Sequence, residues 1–411
     1  MRLVTDLANE GLADRLQQSI RLPFLDGLRA LCAIWVLIGH SHLFAYGWKS
    51  HQSVWTQAAN VFLYLHLGVV VFLVLSGFCL ILPVLRNGNR LPMSISRFFK
   101  ARALRILPPY YACLVLILLL NYVFPIVAWG RHPQGLTDTI SWQALSVNFA
   151  LLQDFFPQYA NINGPFWSIA IEWHIYFLFP IVVAMLARFG GRGMLIGGLV
   201  FAAMINWSAM HAPMWMDAIG VTILSPSYFF YLFVFGCFAG YLSFALESKY
   251  LELRNGMLAV FAAIAFTWFV YLIRRYSIVD AKSAGVFFDH AKTIDMVFAV
   301  MVMVFLVFLA SATTSKVRAK LLHLLEFKPL VSIGHFSYSL YLVHIPILAV
   351  VHHQVELLQL PTNFEHLHFA FVALIGGACS LVFAWGFSRI FERKVWMSLL
   401  PFSAFQFGRE R

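Results

Sequence analysis

Apolar residues in this chain gather into long runs separated by short polar stretches. A helix crossing a ~30 Å hydrocarbon core needs roughly 20 such residues in succession. Ten runs meet that need: about 24–46, 61–85, 107–128, 165–187, 193–210, 224–246, 257–273, 293–312, 335–356 and 367–390. The fifth is short and bounded by Gly191, Gly193 and Pro213. The pattern predicts an all-α fold, a polytopic membrane helix bundle of about ten transmembrane helices spanning 23–392. Residues 1–22 read as an N-terminal tail, either a surface helix with Leu3, Leu7, Leu12, Leu16 and Ile20 along one side or a disordered segment. Residues 393–411 read as a C-terminal tail. The long polar loop 129–164 carries Trp142, Leu145, Phe149 and Leu152 at helical spacing, which predicts a segment that lies in the interface or re-enters the membrane.

Composition agrees with this pattern. Hydrophobic residues make up 61% of the chain and charged residues 11%, against about 25% in an average soluble domain. The five cysteines lie almost entirely in apolar runs without paired spacing, so they read as buried helix residues. No secretory signal peptide is legible in the first 20 residues, which mix Asp6, Glu10 and Asp14 with Arg2 and Arg15.

The net charge of +11 raises the question of a nucleic-acid partner, and its distribution answers it. With both termini cytoplasmic, inside segments hold 22 of the 29 Lys and Arg residues. The excess is a topology signal, and no nucleic-acid partner is expected.

Ionisable residues within spans are costly and mark interiors, cavities or substrate paths. Arg29 and His40 lie eleven residues apart in the first run, on one helix face and ~16 Å apart along the axis. An arginine snorkelling to headgroups and a histidine satisfied by a neighbouring helix would account for both. Glu172, in "GPFWSIAIEWHIYFLFP", reads as the only acid deep within a span, and Ser168, Glu172 and Tyr176 share its face. "HFSYSLYLVHIP" offers Tyr341 and His344 just before Pro346, whose freed carbonyl the nearby hydroxyls would satisfy. Arg102 and Arg105 project together from a basic segment, suited to phosphates or to lipid headgroups. His352, His353, His366 and His368 match no metal-binding spacing, and no metal is expected.

Together these stretches resemble the membrane-bound acyltransferase-3 family, in its stand-alone form without a soluble hydrolase-like domain. The resemblance rests on Arg29 and His40 in "LDGLRALCAIWVLIGH", Arg102 and Arg105 in "FFKARALRILPPYY", the Glu172 span and "FSYSLYLVHIP". "FSRIFERKVW" resembles the family's closing Glu-basic-Pro, with Lys394 in place of the proline. The resemblance implies transfer of an acyl group, most often acetyl, from cytoplasmic acetyl-CoA as co-substrate to a hydroxyl of a carbohydrate or glycolipid acceptor. It also implies the bacterial inner membrane as location, no permanently bound cofactor, and a separate periplasmic or polysaccharide-assembly protein as partner. Within that reading Arg102 and Arg105 hold coenzyme A phosphates, with Arg29 deeper. His40 serves as general base or acyl carrier, and Glu172 pairs with it at equal depth. Asp26, Ser168, Tyr176, Tyr341 and His344 are substrate or structural contacts. A proton-coupled transporter using His40 and Glu172 as a relay is the rival reading.

Overall fold

The computed structural model describes residues 22–48, 58–123, 140–159, 162–211, 224–245, 251–311, 315–358 and 365–392. The amphipathic segment before residue 22 and the tail after 392 lie outside them. The described residues are mostly helical, with no strand among them. In chain order the helices are α1 (Pro23–Tyr46), α2 (Leu67–Arg86), α3 (Ile95–Val123), α4 (Trp142–Phe149), α5 (Phe166–Met210), α6 (Leu224–Phe244) and α7 (Leu251–Arg275). Then come α8 (Ala281–Asp289), α9 (Ala291–Ala310), α10 (Lys316–Leu325), α11 (Lys328–Gly334), α12 (Ser337–Leu357), α13 (Glu365–Phe371) and α14 (Gly377–Phe391).

Eight of the described helices are long and apolar enough to cross a membrane. The longest of them, α5, is not one rod. It breaks at Gly190, whose φ of 67° is a conformation glycine adopts without strain. Met185 of the first arm lies against Gly197 of the second, so the arms fold back on each other. The short fifth run is therefore the return arm of this hairpin. A shorter apolar stretch, Tyr228–Phe244, belongs to α6.

Helices in lipid associate by close packing, and small residues permit it. α2 and α6 use glycines reciprocally: a Cβ on Gly77 would meet the Phe233 carbonyl oxygen at 2.1 Å, and one on Gly236 would meet that of Val74 at 1.9 Å. α1 packs against α2, α11 and α12, which puts its polar residues at the centre. Cys32, Cys113 and Cys237 are buried as expected; Cys79 is half-buried and Cys379 exposed.

The loop before α5 is the least typical part. Trp142 and Phe149 on α4 are exposed, as an interfacial helix requires, but the residues that follow turn inward. Asn148, Gln153, Asp154 and Asn163 are all buried. Irregular backbone at membrane depth survives only where protein satisfies its polar groups. Side-chain amides do that here. Asn148 Nδ2 donates to the Tyr159 carbonyl at 2.8 Å, and Gln153 Nε2 to that of Phe166 at 2.9 Å. Tyr110 on α3 donates its hydroxyl to the Asn148 carbonyl at 2.8 Å. The loop is a plug, and α5 starts beneath it.

Candidate active site

His40 sits on α1 with only 8% of its surface exposed. Its Nδ1 lies 3.0 Å from the Val36 carbonyl oxygen, one turn back, and 2.9 Å from Nε2 of His344 on α12. His344 Nδ1 in turn lies 3.1 Å from the Leu340 carbonyl oxygen. Only a protonated nitrogen donates to a carbonyl, so the network assigns the His344 proton to Nδ1 and leaves its Nε2 to accept. The His40 Nδ1–H fills that role. His40 Nε2 then carries the lone pair, and no group among the described residues hydrogen-bonds to it. A fixed tautomer with a bare nitrogen is what a general base needs.

A polar track runs from this pair toward the arginine-rich end. The Tyr341 ring lies 5.8 Å from that of His344, and its hydroxyl is 2.7 Å from Ser168 Oγ. One turn further along α5, Glu172 Oε1 accepts from the Tyr176 hydroxyl at 2.5 Å and from Ser76 Oγ of α2 at 3.1 Å. The Arg102 guanidinium lies over the rings of Phe98 and Tyr176, at 5.7 and 5.8 Å, with its Nε buried and unpartnered. Arg105 is exposed beyond it. Arg29 donates to Asp26 Oδ1 at 2.7 Å and to Cys79 Sγ at 3.0 Å, and the Glu172 charge reaches both Arg29 and Arg102. His335 Nε2 lies 3.5 Å from the other oxygen of Asp26.

The expected pairing of His40 with Glu172 is not what the structure forms. His40 pairs with His344, and Glu172 pairs with Ser76 and Tyr176. Counting depth from Pro165 assumes that Pro165 lies at the membrane boundary. The plug carries that position into the bundle, where neighbouring Asn163 and Phe166 are fully buried. Glu172 therefore falls at the level of the arginines.

Pro346 leaves the Leu342 carbonyl without its helical donor. The hydroxyls of the same helix do not satisfy it. Asn163 Nδ2 of the plug donates to it at 3.0 Å and Cys113 Sγ of α3 at 3.2 Å. Tyr341 and His344 stay committed to the track. Glu392 accepts from the backbone N–H of Ser339 at 2.9 Å and from its hydroxyl, tying the end of α14 to the first turn of α12. His352 contacts His368 at 2.8 Å and Glu356 at 3.3 Å. Among the described residues no three His, Cys, Asp or Glu side chains have the geometry to hold a metal.

Sequence reasoning passed over Ser76 and Cys79, which nothing distinguishes from other small residues in an apolar run. It also passed over Asp295, a further acid inside a span at 1% exposure, and its partner His66 at 2.8 Å. The signal was an acid three residues into the eighth apolar run.

Comparison with known proteins agrees with these motifs. No solved structure matches the chain. It is 25% identical over 368 residues to the O-acetyltransferase OatA of Staphylococcus aureus (strain NCTC 8325 / PS 47), covering 86% of this chain and 55% of that protein. It is 24% identical over 371 residues to the peptidoglycan O-acetyltransferase OatA of Listeria monocytogenes, covering 82% and 51%. To the acyltransferase MdmB of Streptomyces mycarofaciens it is 29% identical over 165 residues, 39% of each chain. The chain spans about half the length of the OatA relatives it matches. The model for the acyltransferase domain covers residues 22–389, nearly all of the helical bundle, and the chain belongs to the acyltransferase-3 family.

Proposed function

We propose that this protein is an integral membrane O-acetyltransferase that moves acetyl from cytoplasmic acetyl-CoA to a glycan hydroxyl at the outer side of the bacterial inner membrane. The observation that carries the proposal is the polar track itself, with arginines at one end and a base-competent histidine at the other. Arg102 and Arg105 bind the phosphates of coenzyme A at the inner mouth, where the buried, unpartnered Nε of Arg102 offers a donor. Arg29 is engaged by Asp26 and Cys79, so it shapes the inner wall instead of gripping phosphate. The ~16 Å rise from Arg29 to His40 is a path for the pantetheine arm to the thioester.

At the outer end His40 Nε2 takes the proton of the acceptor hydroxyl as its oxygen attacks the thioester carbonyl. The new C–O bond forms, the C–S bond breaks, and the proton passes from His40 to the departing thiolate. The Val36 carbonyl and His344 Nε2 both face the Nδ1–H, so they stabilise the imidazolium while it exists. His344 is a positioning residue that replaces the carboxylate of a catalytic triad with a second imidazole.

The test is reconstitution. Proteoliposomes supplied with labelled acetyl-CoA on the side of Arg102 should acetylate glycan on the opposite side. Label that stays on the donor side, or transfer that survives His40→Ala, would overturn the proposal.

A further inference from the structure

Asp295 is an acid in the first turns of α9, in a run otherwise apolar, and is 1% exposed. His66, at the start of α2, donates from Nε2 to Asp295 Oδ1 at 2.8 Å. Its other ring nitrogen, Nδ1, is buried and has no partner among the described residues. A buried polar atom without a partner costs about 1–3 kcal/mol, which a group that paired with Nδ1 would recover. If His66 is neutral, Nδ1 is a bare acceptor. If it is charged, Nδ1 is an unused donor. A hydroxyl satisfies either case, since it both donates and accepts.

Two further observations define what surrounds this nitrogen. Leu65, next to His66, packs against Gly39, next to His40, so the pair lies at the level of the catalytic base. Aromatic rings flank it: Phe287 at 5.2 Å and Phe288 at 5.6 Å from the imidazole, with Trp48 standing edge-on to Phe288 at 5.4 Å. Phe288 is 41% exposed. Buried hydroxyl-binding groups beside a partly exposed aromatic ring fit the two sides of a sugar ring, polar at its edge and apolar across its C–H face.

We propose that His66 and Asp295 form an acceptor subsite that binds a sugar ring through its hydroxyls, with Phe288 and Trp48 as its apolar wall. This rests on the acetyltransferase reading and adds to it the residues that choose the acceptor. His66 hydrogen-bonds the hydroxyl through Nδ1, and Asp295 fixes the imidazole in place. The arginine-rich end takes the donor, and this pair takes the acceptor.

The experiment uses the full-length protein in nanodiscs with acetyl-CoA and a panel of tetrasaccharides: β-1,4-linked N-acetylglucosamine, α-glucan and galactan. Asp295→Asn and His66→Gln should each raise KM for the accepted sugar about tenfold or more, because the site then lacks a hydroxyl partner. KM for acetyl-CoA should stay within about twofold, as expected for uniform loss of acceptor binding alone. Phe288→Ala, which leaves the buried pair intact, should raise the same KM to a lesser degree. Unchanged acceptor KM in all three variants would overturn the subsite, as would parallel rises in both KM values. A wild-type protein that binds coenzyme A yet accepts no sugar of the panel also overturns it. Failure to bind coenzyme A at all overturns the acetyltransferase reading instead.

Discussion

The two ends of the polar track are built from different chemistry. Around Glu172 the groups carry charge: a carboxylate held by Tyr176 and Ser76, with Arg29 and Arg102 within its field. Around His40 they do not. Two imidazoles face each other at 2.9 Å, each also bound to a backbone carbonyl of its own helix. A buried ion needs a partner and further hydrogen bonds to be tolerated, whereas a neutral pair needs only matched donors and acceptors. Charge is thus concentrated where a multiply anionic donor would enter. The neutral pair stands where a proton would have to come and go.

That contrast predicts a ranking of effects. The largest is expected for His40→Ala, which should abolish transfer; loss of a general base alone is worth about 10²–10⁴ in rate. Binding of coenzyme A, followed by equilibrium titration, should be retained, and its loss would mean that the two ends are not separate.

Next comes Arg102→Ala with Arg105→Ala. Each lost hydrogen bond to a charged group is worth about 1.5–3 kcal/mol, so affinity for acetyl-CoA should fall by more than tenfold with the protein still folded and inserted. Unchanged affinity would reassign these arginines to lipid headgroups.

His344→Gln is expected to act at the neutral end only. It should lower kcat about 10- to 100-fold and alter the pH profile of kcat, with KM for acetyl-CoA unmoved. Added to His40→Ala it should cost little more, since residues acting as a unit are non-additive.

The smallest effect is expected for Glu172→Gln. It should raise KM for acetyl-CoA several-fold, because Tyr176 and Arg102 lose the charge that orders them. The pH profile of kcat should be unchanged. An altered profile would restore the direct partnership with His40 that the geometry lacks.

Much of this site is legible in the sequence because lipid makes polar residues rare. Arg29, His40, Arg102, Arg105 and Glu172 stand out against apolar runs, and the shared face of Ser168, Glu172 and Tyr176 follows from a helical repeat. The partnerships are less legible. Depth along a helix can be counted only from a known boundary, and the inward-turning residues ahead of α5, such as Gln153, Asp154 and Asn163, shift that boundary without changing its apolar pattern. His344 is visible as a polar residue in its span, but nothing in its neighbours says that its ring meets His40. Ser76 carries no signal, since a serine in an apolar run is ordinary. The fold follows the same rule. The long apolar runs are each found as helix, and the turn of α5 at Gly190 falls between two of them.

The carbonyl of Leu342 has a consequence for the order of assembly. It accepts from Asn163, a residue 179 positions earlier in the chain. During synthesis the loop bearing Asn163 emerges long before α12 exists, so its contacts with α3 form first and its bond to Leu342 last. Until α12 arrives with its proline-freed oxygen, Asn163 lacks the carbonyl to which it donates. The plug is thus completed late, and a chain truncated before α12 would keep its contacts with α3 and lack the one with Leu342.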